Sequence, residues 1–528
     1  MTGKSGAAGG LLALAPRLLA LAAGVHQLWV AAFGASSTLS LRVTHWLLLG
    51  SLAYLTHPVG KDRRVRVWDL AMAAAAAVPS AYVLATEASR GFGLGVPSPL
   101  EMGLAALLVV TVLEATRRTA GRGLALVAVA FLAYGLFGHL IPGYLGHRPY
   151  SLARLTSFLY LSADGIYGPI LGVSAAFILL FIVFGSVLSV SGAGELFINV
   201  ALRLTGHLRG GAAKAGIFAS ALMGMITGSP AANVLTTGPY TIPLMVRTGY
   251  RPEEAAAIAA AAGVGSMVMP PVMAAVAFIM ADYLGVEYSR VAGAALLPAV
   301  LFYVSLYLTV HLRAHKRALE VLPRSQLPDV AASLRARWPV LLSPALLIFG
   351  LVRGWSAAHA AFWAIVLLVA VMGLMPDRRT AVQRLLQGME EGARSAVPVA
   401  TATAVAGILV GITNLTGLGV KFSSFMVDVA AGNQLVLLLG IAVASLILGL
   451  GMPPSASYIL VATLGAPALV KAGFDELAAH MFVLYFAVIG DITPPVALSA
   501  YAAAGIAGCN PDRAGWQAFR MGMVGYLV

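Results

Sequence analysis

One stretch of this chain is written twice. Residues 227–250 read TGSPAANVLTTGPYTIPLMVRTGY, and residues 451–474 read GMPPSASYILVATLGAPALVKAGF. A shift of 224 positions lays Pro230 on Pro454, Ala232 on Ala456, Asn233 on Ser457 and Pro243 on Pro467. The same shift carries Arg247-Thr248-Gly249-Tyr250 onto Lys471-Ala472-Gly473-Phe474, and Met269-Pro270-Pro271-Val272 onto Thr493-Pro494-Pro495-Val496. Proline lacks an N–H and clashes with the preceding helical turn, so helices must break at matched places in two halves. In a membrane chain, such a pair of interrupted segments is the strongest sequence pointer to a transporter's binding site.

Composition says that the chain lives in a membrane. It is 59% hydrophobic and 10% charged, whereas about a quarter of an ordinary soluble domain is charged. Apolar runs long enough to span a bilayer recur from end to end, which predicts an all-α polytopic membrane protein. The first apolar run, from Gly9, contains Arg17 and His26 and no obvious small-residue cleavage site, so it reads as a span and not as a cleaved signal. A single cysteine, Cys509, excludes an intramolecular disulfide framework and any four-cysteine metal site.

The net charge of +13 reads as topology and not as an affinity for nucleic acid. With the N-terminus in the cytoplasm, the basic clusters at 61–66, 117–122, 313–337 and 378–384 fall on the inner side, as the positive-inside rule requires. This arrangement works only if hairpins at about 210–246 and 434–470 are re-entrant and do not cross. The span 168–190 then ends inside at Ser191-Gly192-Ala193-Gly194, and the span 395–414 ends outside at Thr416-Gly417-Leu418-Gly419. Short amphipathic pieces, Leu196–Leu208 and Val420–Ala431, follow them. The two repeats, about 168–285 and 381–528, are therefore expected to be inverted. Linker helices and a cytoplasmic loop fill about 291–375.

Chemistry belongs at the breaks, because irregular backbone in a bilayer is tolerated only where protein buries it or a wet cavity meets it. The first tip is Gly228-Ser229-Pro230-Ala231-Ala232-Asn233, and the break paired with it runs from Gly263 through Gly265 and Ser266 to Pro270-Pro271. The second tip is Gly451-Met452-Pro453-Pro454-Ser455-Ala456-Ser457, paired with Gly490-Asp491-Ile492-Thr493-Pro494-Pro495. Freed carbonyls with Ser and Asn oxygens are neutral hard ligands suited to a small cation. Two half-helix N-termini, after Gly228 and after Pro454, turn positive dipole ends toward the space between, which favours an anion. Asp491 is the only carboxylate in the four segments; it could neutralise a cation, carry a proton or cap the half-helix that follows.

These segments carry a resemblance. The run from Lys214 to Gly285, with ITGSPAANVLTTGPYTIPLMVRTGY at its centre, and the run LGLGMPPSASYILVATLGAPALV with YFAVIGDITPPVALSAYAAAGIA, are similar to the large membrane subunit of tripartite ATP-independent periplasmic (TRAP) transporters. Residues 150–528 resemble that subunit, and residues 1–149 look like the small four-helix subunit fused ahead of it. The whole is most similar to fused permeases that serve TAXI-type binding proteins. The resemblance implies an elevator-type secondary transporter in the inner membrane, sodium coupling, and a periplasmic solute-binding protein that delivers a small organic anion, commonly a carboxylate. It implies one sodium near Ser229, Asn233 and the Gly265-Ser266 break, and a second near Ser455, Ser457 and the Gly490–Thr493 break with Asp491. The substrate falls among Ser229, Pro230, Pro270, Pro454, Ser455 and Thr493. Pro230 departs from the pattern, standing where a more flexible small residue is expected. The sequence ends inside a hydrophobic run, which suggests a shortened last helix.

No cofactor is expected. No GxxxxGK[ST] motif occurs, and the one sizeable polar loop, 313–337, is too short for a nucleotide-binding domain. Neither HExxH nor a GxSxG with partners is present, which argues against an intramembrane enzyme. A stand-alone anion transporter of similar architecture, needing no binding protein, is the alternative.

Overall fold

A computed structural model describes residues 5–59, 65–87, 96–227, 229–323, 325, 327–375, 378–449, 452–494 and 497–526. Gly228, Gly451 and Pro495, which the sequence places at the tips and breaks, lie outside them. The described residues form helices and no strand, and nine of the helices are long and apolar enough to cross a membrane. The chain is an all-α polytopic membrane protein.

By its contacts the chain divides into two compact units. One comprises 1–183, 389–444 and 455–483; the other comprises 184–388, 445–454 and 484–528.

In the first unit, five N-terminal helices run Ser5–Phe33, Thr38–Thr56, Val67–Thr86, Pro99–Thr119 and Arg122–Phe137. Ser37 and Ser98 open the second and fourth helices with capping boxes, which satisfy N–H groups that helix starts leave unpaired. An ion cluster is buried among these helices. Arg118 lies 2.6 Å from Asp69 and 2.8 Å from Glu114, with Asp69 fully buried, and its guanidinium lies 4.8 Å from the centre of the Tyr54 ring. These helices are tied to later sequence through polar side chains. His45 meets Ser174 at 2.9 Å, Arg42 donates to the Tyr167 carbonyl, Tyr160 donates to the carbonyl of Pro79, and Thr119 meets Thr401.

The second unit is built around Pro252–Gly265. Proline opens this helix at its first turn, Glu253 and Glu254 favour its positive end, and the alanines from 255 to 262 are all buried. Small side chains let neighbours approach closely, so the helix packs against Gly211–Thr227, Pro230–Arg247, Tyr288–Lys316, Leu498–Ala507 and Pro511–Gly522. Glu254, buried at the helix start, pairs with Arg317. Lys214 is also buried, its Nζ 2.9 Å from His311 Nδ1 and over the face of Tyr307.

The repeat in sequence is also a repeat in backbone conformation. Gly249 and Gly473 both take left-handed φ, +96° and +94°, and the 224-residue shift superposes them. So do Met273 and Ala497, at +51° and +36°, each opening the second piece of a broken helix. The first pieces, Pro252–Gly265 and Glu476–Ile489, start and end in register under the same shift. Gly192, inside the helical run Pro169–Thr205, and Gly417, just after helix Ala381–Thr416, are both left-handed and lie one position out of register. A side chain at positive φ costs about 1–3 kcal/mol; Met273 and Ala497 both accept it, in both halves.

Candidate functional site: two broken helices at one cavity

Ser229 caps Pro230–Arg247, its hydroxyl accepting from the Ala232 N–H at 3.4 Å. Asn233, one turn in, is fully buried. Its amide nitrogen donates to the Ser220 carbonyl at 2.8 Å, and its oxygen receives only a long contact, 3.4 Å, from the Thr237 hydroxyl. The amide is thus held by its nitrogen, leaving most of the oxygen's acceptor capacity unused.

The first break begins where Pro252–Gly265 tightens into i→i+3 turns: the N–H groups of Ser266, Met267 and Val268 reach the carbonyls of Gly263, Val264 and Gly265. Two close approaches hold the hairpin against it. A Cβ on Gly224 would lie 2.2 Å from Ser266 Cβ, and one on Gly263 would lie 3.1 Å from the Pro230 carbonyl oxygen. Tyr303 donates to the Ala262 carbonyl at 3.0 Å, and Tyr288 donates to the carbonyls of Pro271 and Val272 at 2.6 and 2.8 Å. Ser266 is fully buried and its hydroxyl has no partner among the described residues. An unpaired buried hydroxyl costs about 1–3 kcal/mol.

The second break lies in the same unit. Glu476–Ile489 ends in a tight turn, Gly490–Ile492, which packs against Pro252–Gly265 and Leu498–Ala507. A Cβ on Gly490 would lie 3.3 Å from the Gly449 carbonyl oxygen, the counterpart, within one position, of Gly224 on Ser266. Asp491 accepts a hydrogen bond from Ser499, a fully buried residue on the next helix. Thr493 turns its hydroxyl back to the Ile489 carbonyl at 2.9 Å. The helices that lead into the two breaks line one cavity of about 20 Å³, with Val264, Gly265 and Val268 from the first and Tyr485, Val488 and Ile489 from the second, beside Pro298, Phe302 and Gly525. The Tyr485 hydroxyl is buried and has no partner among the described residues.

Of the second tip, Met452 and Pro454 fall in this unit, whereas Ser455 and Ser457 belong to the other. Both serines are buried, and the Ser457 hydroxyl has no partner among the described residues. Beside it, Tyr458 and His480 meet at 2.8 Å. Pro270 lines a different, apolar pocket of about 330 Å³ together with Pro271 and Tyr288.

Sequence reasoning missed Ser499, Tyr303, Tyr288 and Tyr485. Ser499 had no signal from the repeat, because its counterpart is Ala275. The three tyrosines lie in helices where apolar pattern alone reads them as packing.

Comparison with known proteins identifies the family. The family described as "Tripartite ATP-independent periplasmic transporter, DctM component" matches residues 107–528. The C4-dicarboxylate TRAP transporter large permease protein DctM of Pseudomonas aeruginosa is 25% identical over 329 residues, 62% of this chain and 76% of its own length. The isethionate TRAP transporter permease protein DctMQ of Oleidesulfovibrio alaskensis is 26% identical over 340 residues, 63% of this chain and 52% of that one. The sialic acid TRAP transporter large permease protein SiaM of Vibrio cholerae is 23% identical over 321 residues, 61% of this chain and 74% of its own. With four fifths of its length matched, the chain belongs to the DctM-component family of TRAP transporters, and is a transport permease and not an enzyme.

Proposed function

We propose that this chain is the inner-membrane permease of a binding-protein-dependent secondary transporter, importing a small organic anion by elevator motion coupled to sodium. The observation that carries the reading is the orphaned hydroxyl of Ser266, buried at a helix break. The Ser457 hydroxyl, orphaned likewise, stands where the 224-residue repeat puts Asn233. A small cation bound at each would satisfy both hydroxyls with carbonyls that a broken helix leaves free. In this reading Ser229, Asn233, Gly265 and Ser266 hold one sodium. Ser455 and Ser457 are the proposed sodium ligands on the second tip, and Gly490, Asp491 and Thr493 those at the second break. Ser229, Pro230, Pro454, Ser455 and Thr493 border the substrate, and the two hairpin helix starts supply dipoles for its carboxylate. Pro270, on the apolar pocket, sits beside that surface and not within a polar one.

The energetics suit concentrative uptake. A tenfold sodium gradient supplies about 1.4 kcal/mol per ion, and each charge moved across 100 mV adds about 2.3 kcal/mol. Two sodium ions with a monocarboxylate move one net positive charge, giving about 5 kcal/mol, several thousandfold in concentration.

Relatives named for C4-dicarboxylate, isethionate and sialic acid support an acidic substrate, and the family works with a periplasmic solute-binding protein. In this reading the helices before residue 150 are a fused small subunit, and the partner is of the TAXI type. The basic clusters support a cytoplasmic N-terminus and inverted hairpins. Uptake into proteoliposomes, with and without the purified binding protein, separates this reading from a stand-alone transporter. Uptake only with the binding protein supports it, and equal uptake without it contradicts it.

A further inference from the structure

Helix Tyr288–Lys316 turns one apolar face outward through Leu296, Leu297, Val300, Leu301, Val304 and Leu308. Helix Leu342–Val352 does the same through Ile348, Phe349 and Val352. In a multi-span membrane protein such a face meets hydrocarbon. The pocket of about 330 Å³ opens between these faces, with Pro270 and Pro271 on one side, Ala292, Gly293 and Leu296 on the second and Ile348, Leu351 and Val352 on the third. Its polar side chains are already engaged: the Tyr288 hydroxyl on the Pro271 and Val272 carbonyls, and the Ser289 hydroxyl on Glu287 at 3.2 Å. Nothing in the lining suits a carboxylate. The lining stripe from Ser289 to Leu296 runs two helical turns, about 10 Å at 1.5 Å per residue, which is the shape of an alkyl chain laid along a helix.

One end of the pocket is marked by charge. Arg290 and Arg353 follow the lining residues Ser289 and Val352 directly, and neither guanidinium has a carboxylate partner among the described residues. Arg353 lies 5.8 Å from the centre of the Phe349 ring, and Trp355 packs edge-on against Phe349 and His359, in the manner of the aromatic and basic residues that gather at a bilayer interface. Two arginines against the one carboxylate of Glu287 leave this end of the apolar slot net positive, which complements a phosphodiester joined to an acyl chain.

We propose that this pocket is a phospholipid site. One acyl chain lies along Ser289–Leu296 beside Pro270-Pro271, and the phosphate sits at the end marked by Arg290 and Arg353. The lipid thereby touches the backbone of the first helix break itself.

The test uses the full chain in nanodiscs containing a phospholipid with a photoreactive diazirine on one acyl chain, with labelled peptides mapped by mass spectrometry. Labelling should concentrate on 289–296 and 348–352, several-fold above the outward face at 304–312. Gly293→Leu should lower it several-fold, since a Cβ at Gly293 meets nothing within 4 Å and so projects into open space. Arg290→Gln with Arg353→Gln should lower it too, and a diacylglycerol carrying the same chain should label weakly. Gly293→Trp, checked for monodisperse elution, serves as a second filling variant. Even labelling along the whole face, no loss in either filling variant, or equal labelling by diacylglycerol would overturn the proposal.

Discussion

Gly224 rests directly on Ser266. A Cβ added to Gly224 would lie 2.2 Å from the serine Cβ, closer than two carbons can approach, so the first hairpin arm reaches the helix break only because residue 224 has no side chain. Gly449 and Gly490 repeat the approach in the second half, where a Cβ on Gly490 would lie 3.3 Å from the Gly449 carbonyl oxygen.

Gly224→Ala should therefore separate the arm from the break. Overpacking costs about 1–3 kcal/mol, enough to lower uptake roughly tenfold. Gly103→Ala, whose Cβ meets nothing within 4 Å, is the control and should transport normally. Initial uptake rates at matched protein in proteoliposomes decide the matter.

Asn233→Ala should abolish coupled uptake; it also removes the hydrogen bond to the Ser220 carbonyl, at a stability cost of about 0.5–1.5 kcal/mol. Asn233→Ser should keep part of the activity, because the second half carries Ser457 at the matched position. Full activity in Asn233→Ala with unchanged sodium dependence would remove the residue from the site.

Asp491 and Ser499 should act as a pair. If Asp491 serves sodium, Asp491→Asn weakens apparent sodium affinity and leaves residual uptake indifferent to pH, and Ser499→Ala shifts sodium affinity in the same direction by less. If it carries a proton instead, Asp491→Asn abolishes uptake driven by a pH gradient while substrate exchange persists. Wild-type behaviour under both gradients makes it a structural cap.

Arg118→Met should destabilise the protein without touching transport chemistry. It strands Asp69, whose side chain is fully buried, and breaking a buried ion pair costs about 3–5 kcal/mol. A lowered melting temperature with unchanged apparent sodium affinity is the expected result.

Much of this was legible in the sequence. Proline at Pro230, Pro252 and Pro454 fixes where helices start, and the conformational repeat at Gly249 and Gly473 follows from glycine being free to take positive φ. Met273 and Ala497 show the limit: nothing in a methionine or alanine announces a left-handed residue, and only the surrounding fold imposes it. The Asp69–Arg118 pair was hidden by sequence separation, and Ser499 by the absence of a serine at Ala275. The orphaned hydroxyls of Ser266 and Ser457 are a property of packing, since an orphan is defined by partners that fail to arrive.

The most direct test of the account is uptake of substrate, with its binding protein, into proteoliposomes at equal pH on both sides under an imposed sodium gradient. The account predicts uptake that saturates with external sodium in the wild type, with a raised sodium requirement in Ser266→Ala and in Ser457→Ala and a larger one in the double variant. Uptake that ignores sodium and follows a pH gradient alone, unchanged by either serine substitution, would contradict it.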